Sequence, residues 1–123
     1  MFTSPLVGRR ALIVDDDHDL ARMYAMTVQQ VGFVTDIRLD GKSALDFLAD
    51  QVPDLILLDL NLPDITGRDI LRYVRADPRM IKTRVIIISA NPIMAAELDE
   101  EADLVLLKPT SIQQLRDLVG RLS

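Results

Sequence analysis

Five short runs rich in Val, Ile and Leu recur along the chain, at 11–14 (ALIV), 33–39 (FVTDIRL), 54–58 (DLILL), 84–88 (RVIII) and 104–107 (LVLL). Between and after them the apolar residues change to helical spacing: Leu20, Met23, Tyr24, Val28 and Val31 share one face, as do Leu45, Leu48 and Ala49, and then Ile70, Leu71 and Val74. A last stripe, Ile112, Leu115, Leu118, Val119 and Leu122, follows Thr110 and Ser111, either of which can cap a helix. Turn residues separate the segments at Val31-Gly32, Asp40-Gly41, Gln51 to Pro53, Asp64 to Gly67, Asp77-Pro78 and Asn91-Pro92. Strand alternating with helix predicts an α/β fold: a doubly wound parallel sheet of five strands with helices on both faces and right-handed crossovers. Near-continuous apolar strands agree, because such strands are covered on both sides.

Length and composition set the outer limits. With 123 residues, 49% of them hydrophobic, the chain is of ordinary size for one domain and can bury a core. We expect a single domain over 1–123, with 1–8 as an N-terminal extension and no output domain following. The absence of Cys excludes disulfides and thiolate chemistry, and one histidine, His18, argues against a His-rich zinc site. The short apolar runs predict no membrane span, and Arg9-Arg10 lacks the longer apolar stretch of a signal peptide, so we expect a cytoplasmic protein without a membrane partner. A net charge of -5 argues against nucleic acid as a partner of this chain.

In a doubly wound sheet ordered 2-1-3-4-5, ligands bind at the carboxyl ends of strands 1 and 3, where the winding reverses. Asp15 and Asp16 follow strand 1, Asp59 ends strand 3, Ser89 ends strand 4 and Lys108 follows strand 5. Every one of these strands delivers a polar group to one rim. Crowded carboxylates repel one another, and without a partner one is driven toward protonation. A divalent cation removes the conflict, and hard oxygen ligands completed by waters and a phosphate oxygen are what Mg²⁺ takes. Such an ion would bridge to a phosphoryl group, Lys108 would hold another of its oxygens, and one carboxylate would be left as nucleophile.

The segments LIVDDD, LILLDLNLPDITG, VIIISA and LLKP, in this order and spacing, resemble the receiver domain of bacterial response regulators, a flavodoxin-like fold, over essentially the whole chain. The resemblance implies that Asp59 accepts phosphate from a sensor histidine kinase or phosphotransfer protein, forming an acyl phosphate, and that a downstream protein target reads the change. It implies a Mg²⁺ site made by Asp15, Asp16, Asp59 and the backbone carbonyl of Asn61. It also implies that Ser89 hydrogen-bonds the phosphoryl group, that Lys108 pairs with it ahead of a cis peptide to Pro109, and that small Ala90 leaves its path open. Such a domain catalyses only its own phosphorylation and dephosphorylation.

The sequence also departs from that family. Val105 stands where receivers usually carry Tyr or Phe, Thr110 replaces a common Phe, and the interval from Ser89 to Lys108 is short, predicting a short or irregular fourth helix. The alternative is a pseudo-receiver that binds proteins without phosphorylation. A haloacid-dehalogenase-type phosphatase also uses an Asp nucleophile and Mg²⁺, but its motif needs a second Asp two residues on, where this chain has Asn61. Among neighbouring residues, Asp17 reads as a helix cap, His18 as an exposed helix-start residue, and Met23, Tyr24 and Met26 as packing residues. The run ELDEEAD at 97–103 reads as a solvated helix face or end.

Overall fold

The apolar runs form strands β1 (Arg10–Val14), β2 (Val34–Arg38), β3 (Leu55–Asp59), β4 (Arg84–Ser89) and β5 (Leu104–Leu107). They pair in parallel in the order β2-β1-β3-β4-β5, as the pattern predicts. The structure is a computed structural model that describes residues 9–98 and 101–122; the N-terminal extension over 1–8 lies outside them. Helices α1 (His18–Gln30), α2 (Gly41–Asp50), α3 (Gly67–Ala76), α4 (Pro92–Glu97) and α5 (Ile112–Leu122) connect and flank the strands, with a 3₁₀ turn at Pro78–Met80. Among the described residues no helix is long and apolar enough to cross a membrane.

Strand alternation sorts the core into two layers. Leu12, Val14, Ile56, Leu58, Val85 and Ile87 face α2 and α3, meeting Ala44, Leu48, Ile70, Leu71 and Val74. Ala11, Ile13, Leu55, Leu57, Ile86 and Ile88 face α1 and α5, meeting Tyr24, Val28, Leu115 and Val119. Each fully buried Leu or Ile contributes about 1.5–3 kcal/mol.

The helix ends follow local chemistry. Asp17 caps α1 by accepting the Leu20 N–H, Asp40 caps α2 through Ser43, and Thr66 caps α3 through Asp69. Gly32, at φ 107°, takes the left-handed turn that lets the chain leave α1 for β2. Ser111 rather than Thr110 caps α5, accepting the Gln114 N–H, while the Thr110 hydroxyl donates to the Leu107 carbonyl.

The fourth helix is short, as the spacing predicts. Asn91 caps α4 by accepting from both Ile93 and Met94, Pro92 occupies its first turn, and the helix ends after six residues. Arg68 of α3 makes a salt bridge to Glu97 at its end. Three helix-face assignments are corrected: Ala49 and Met26 are exposed and Ile112 is largely so, whereas Phe47 is buried. The apolar arc on each of these helices is wider or differently phased than the stripe the sheet covers.

The reading of ELDEEAD as solvated charge holds for Glu97 and Glu101, which are exposed, and is corrected for Asp103, with Asp99 and Glu100 lying outside the described residues. Leu98 and Ala102 are buried, and Asp103 pairs with Arg75 and Arg84 while accepting the Val85 N–H at 2.6 Å. Those contacts anchor the entry to β5.

Candidate functional site

Parallel strands that begin together end together, so register alone gathers the polar residues at one rim. Val14 pairs with Leu58 and Asp59 with Ile88, which places Asp15 and Asp59 on adjacent strand ends. Both carboxylates are buried, at 1% and 4% exposure, whereas Asp16 is exposed. One carboxylate oxygen from each of Asp15, Asp16 and Asp59 lies within 4.8 Å of the others. The structure brings these three sequence-predicted residues together.

Backbone amides fix two of them. The Asp17 N–H donates to Asp15 Oδ1 at 2.9 Å, and the Asn61 N–H donates to Asp59 Oδ1 at 3.1 Å. Lys108 approaches from the other side, its Nζ lying 3.3 Å from Asp59 Oδ2 and 3.4 Å from Asp15 Oδ2. Lys108 follows β5, its N–H donates to the Ser89 carbonyl at 2.8 Å, and its peptide bond to Pro109 is cis.

Electrostatics follow from burial and neighbours. Burial pushes the Asp15 carboxyl above the usual carboxylate range and the Asp59 charge adds to this, against the opposing pull of the Asp17 N–H and Lys108. For Lys108, burial acts to lower the ammonium, but attraction by Asp59 and Asp15 outweighs it, so the group is held above its ordinary value. Burial likewise raises the Tyr24 phenol, which stands close enough to feel the charges of Lys108, Asp15 and Asp59. Tyr24 is buried among α1 packing residues, as expected, but its reach to the site was not visible in the sequence.

Ser89 is placed at the same rim, where its hydroxyl donates to the Asn91 carbonyl at 3.4 Å. Its side chain is buried, and its Oγ accepts the Asn91 N–H at 3.0 Å. The exposed residues Asp17 and His18 stand just beyond the acid pair, Asp17 acting as the α1 cap. The donor set of the cluster is chemically uniform. Three carboxylates and one ammonium leave an excess of negative charge, and all the available ligands are hard oxygens, which suits a small divalent cation.

One further carboxylate links the loop that follows Asp59 to another helix. Asp64 accepts the Gly41 N–H at 2.8 Å through Oδ1 and the Lys42 N–H at 2.9 Å through Oδ2, joining the β3–α3 loop to the start of α2. In sequence Asp64 is an ordinary turn residue. Its partners lie more than twenty positions away, so no local signal marks it.

Comparison with known proteins agrees with this geometry. A family model for the response regulator receiver domain matches residues 11–120. The response regulator ArlR of Staphylococcus saprophyticus is 38% identical over 109 residues, covering 86% of this chain and 48% of that protein. The DNA-binding response regulator MtrA of Mycobacterium leprae is 35% identical over 107 residues, covering 87% and 48%. The chain thus spans about half the length of the curated relatives it matches. Among solved structures, the signal receiver domain of a putative Luxo repressor protein from Vibrio parahaemolyticus superposes with TM-score 0.83 at 32% identity, covering 93% of this chain and 88% of that one. A CheY-like receiver domain from Methylobacillus flagellatus gives TM-score 0.83 at 28% identity, covering 94% and 98%. With the family model spanning nearly all of the sheet and the strand-end acids and lysine in place, the chain belongs to the response regulator receiver domain family of two-component signalling.

Proposed function

We propose that this receiver takes a phosphoryl group on Asp59 from a sensor histidine kinase or phosphotransfer protein and thereby changes its affinity for a downstream protein. The carrying observation is the convergence of Asp15, Asp16 and Asp59 within 4.8 Å under a lysine that contacts two of them. In the transfer, an Asp59 carboxylate oxygen attacks phosphorus, a P–O bond forms, the P–N bond to the donor imidazole breaks, and the imidazole leaves with the electron pair. The product is an acyl phosphate.

Each residue has a stated task. The Asn61 N–H orients Asp59 by holding Oδ1. Lys108 is already at Asp59 and is long enough to follow the added charge onto a phosphoryl oxygen. The Ser89 hydroxyl, at the end of the neighbouring strand, turns from Asn91 to donate to the phosphoryl group. Ala90 adds no bulk beside it. Asp15, Asp16, Asp59 and the Asn61 carbonyl are the groups that would hold Mg²⁺, which when bound supplies neutralisation of the phosphoryl and carboxylate charge.

The chain acts only on itself, forming and losing its own acyl phosphate. A net charge of -5 supports protein partners over DNA for this portion, although relatives are named as DNA-binding response regulators. The family supports action in the cytoplasm.

Intact mass after incubation with acetyl phosphate tests the reading, with Mg²⁺ or chelator, for wild type and Asp59→Asn. A Mg²⁺-dependent gain of one phosphoryl group, lost in the variant, is expected. No gain, together with failure of beryllofluoride to bind, would replace the proposal with a phosphorylation-independent binding module.

A further inference from the structure

We propose that Asp64 is a positioning residue for the phosphorylation site, holding Asn61 in place by clamping the β3–α3 loop to the N-terminus of α2. The inference rests on the reading of Asp59 as phosphoacceptor and deepens it. Asn61 is the hinge of the argument: its N–H orients Asp59, and its carbonyl is a proposed ligand of the metal. Asn61 is exposed and lies two residues beyond β3, tied to the strand through its N–H bond to Asp59 Oδ1.

The loop is also held from outside. At its far end the Gly67 N–H donates to the Leu60 carbonyl at 3.1 Å, closing the loop on itself. At its crown Asp64 spans two successive amides of α2 with both carboxylate oxygens, a two-point contact that fixes direction as well as distance. The helix dipole favours the negative charge there, and the two amides hold the Asp64 carboxyl below the usual carboxylate range. The packing is close: a Cβ at Gly41 would stand 2.6 Å from the Ile65 Cβ, so the loop rests against the one residue at the start of α2 that has no side chain.

Helix capping alone does not account for Asp64. Asp40 already caps α2, its side chain accepting the Ser43 N–H three residues on. Two acids therefore meet the start of α2, one capping it locally and the other reaching it from the loop. This difference supplies the control. Asp40→Ala and Asp64→Ala each remove one carboxylate from the start of α2, but only the second frees Asn61.

The test measures Mg²⁺ affinity by titration with the metal alone, phosphorylation rate with acetyl phosphate, and hydrogen exchange of the Asn61 amide in metal-free protein. Asp64→Ala is expected to weaken Mg²⁺ binding about 10-fold, the low end for residues that hold metal ligands in place. It should slow phosphorylation and speed Asn61 exchange, while Asp40→Ala matches it in melting temperature and leaves all three near wild type. Equal effects from the two variants, or wild-type Mg²⁺ affinity and Asn61 exchange in Asp64→Ala, would overturn the proposal. Should Asp64→Ala fail to fold, Asp64→Asn, which keeps one acceptor oxygen, is judged on the same measurements. If wild type takes no phosphate, the reading of Asp59 fails separately, and Asn61 exchange in metal-free protein still decides the role of Asp64.

Discussion

The Lys108 ammonium lies 3.3 Å from Asp59 Oδ2 although 49 positions separate the two residues in the chain. That one cation serves a buried carboxylate which also faces Asp15 and Asp16, so attraction to the lysine is set against two like charges and the cost of burial. Asp59→Asn keeps an acceptor for the Asn61 N–H while removing the repelled charge. In metal-free buffer the variant is therefore expected to be more stable than wild type by about 1 kcal/mol. Adding Mg²⁺ should stabilise wild type and narrow the gap. Urea titrations with and without the metal measure both effects, and a variant less stable than wild type in chelator would show that the Lys108 attraction dominates.

Removing the cation should have the opposite sign. Lys108→Met leaves Asp15 and Asp59 buried and facing each other without their shared partner. Because Lys108 pulls the Asp15 carboxyl down against burial, its loss should move the Asp15 titration further upward in metal-free protein. Carboxyl-carbon chemical shifts followed against pH report this directly. An unmoved Asp15 titration would mean that solvent already screens the pair.

Asp103 gives the fold a pH dependence remote from the site. Burial acts to raise its carboxyl, but the Val85 N–H and the Arg75 and Arg84 guanidiniums outweigh it and hold the group below its ordinary value. A carboxyl lower in the folded than the unfolded state stabilises fully above its unfolded value, and that stability is lost as pH falls through the folded value. The ion pairs are partly exposed and screened, so Asp103→Asn should cost about 1 kcal/mol at neutral pH. The gap from wild type should close below about pH 3, under the ordinary carboxylate value. Denaturant titrations at both pH values measure it, and a gap that persists in acid would assign the effect to packing.

Asp103 also marks where the sequence stops being informative. Strand residues and the strand-end acids were legible because each depends on local pattern: an apolar run buries, and the next polar residue marks the rim. Asp15, Asp59 and Lys108 then meet through parallel register, which the alternation of elements already implies. Asp103, within ELDEEAD, looks like any solvated charge, yet its partners Arg75 and Arg84 come from α3 and β4. Asp64 is the same case, a turn residue whose partners are amides of another helix. Met26 and Ile112 failed for a different reason: periodicity shows that a helix has an apolar face, but not how far the sheet extends to cover it.

On the proposal that Asp59 takes the phosphoryl group, the consequence can be followed from Ser89. Its carbonyl is tied to the Lys108 N–H, so the backbone is held and only the side chain is free to change partners. At rest the Oγ accepts the Asn91 N–H at 3.0 Å, and the Asn91 side chain in turn caps α4 at Ile93 and Met94. A hydroxyl that rotates to donate to a phosphoryl group on Asp59 gives up its donation to the Asn91 carbonyl at 3.4 Å, which loosens its hold on Asn91 and with it the start of a helix only six residues long. Val105, paired in register with Ile87, offers no aromatic ring to carry the change along β5, so α4 is the expected route. Amide spectra with beryllofluoride and Mg²⁺ should shift Asn91 and the first turn of α4 most strongly outside the pocket. In Ser89→Ala, Asn91 should already be displaced without the mimic, and its further shift on adding it should shrink. Equal shifts in the two proteins would show that the loop moves independently of Ser89.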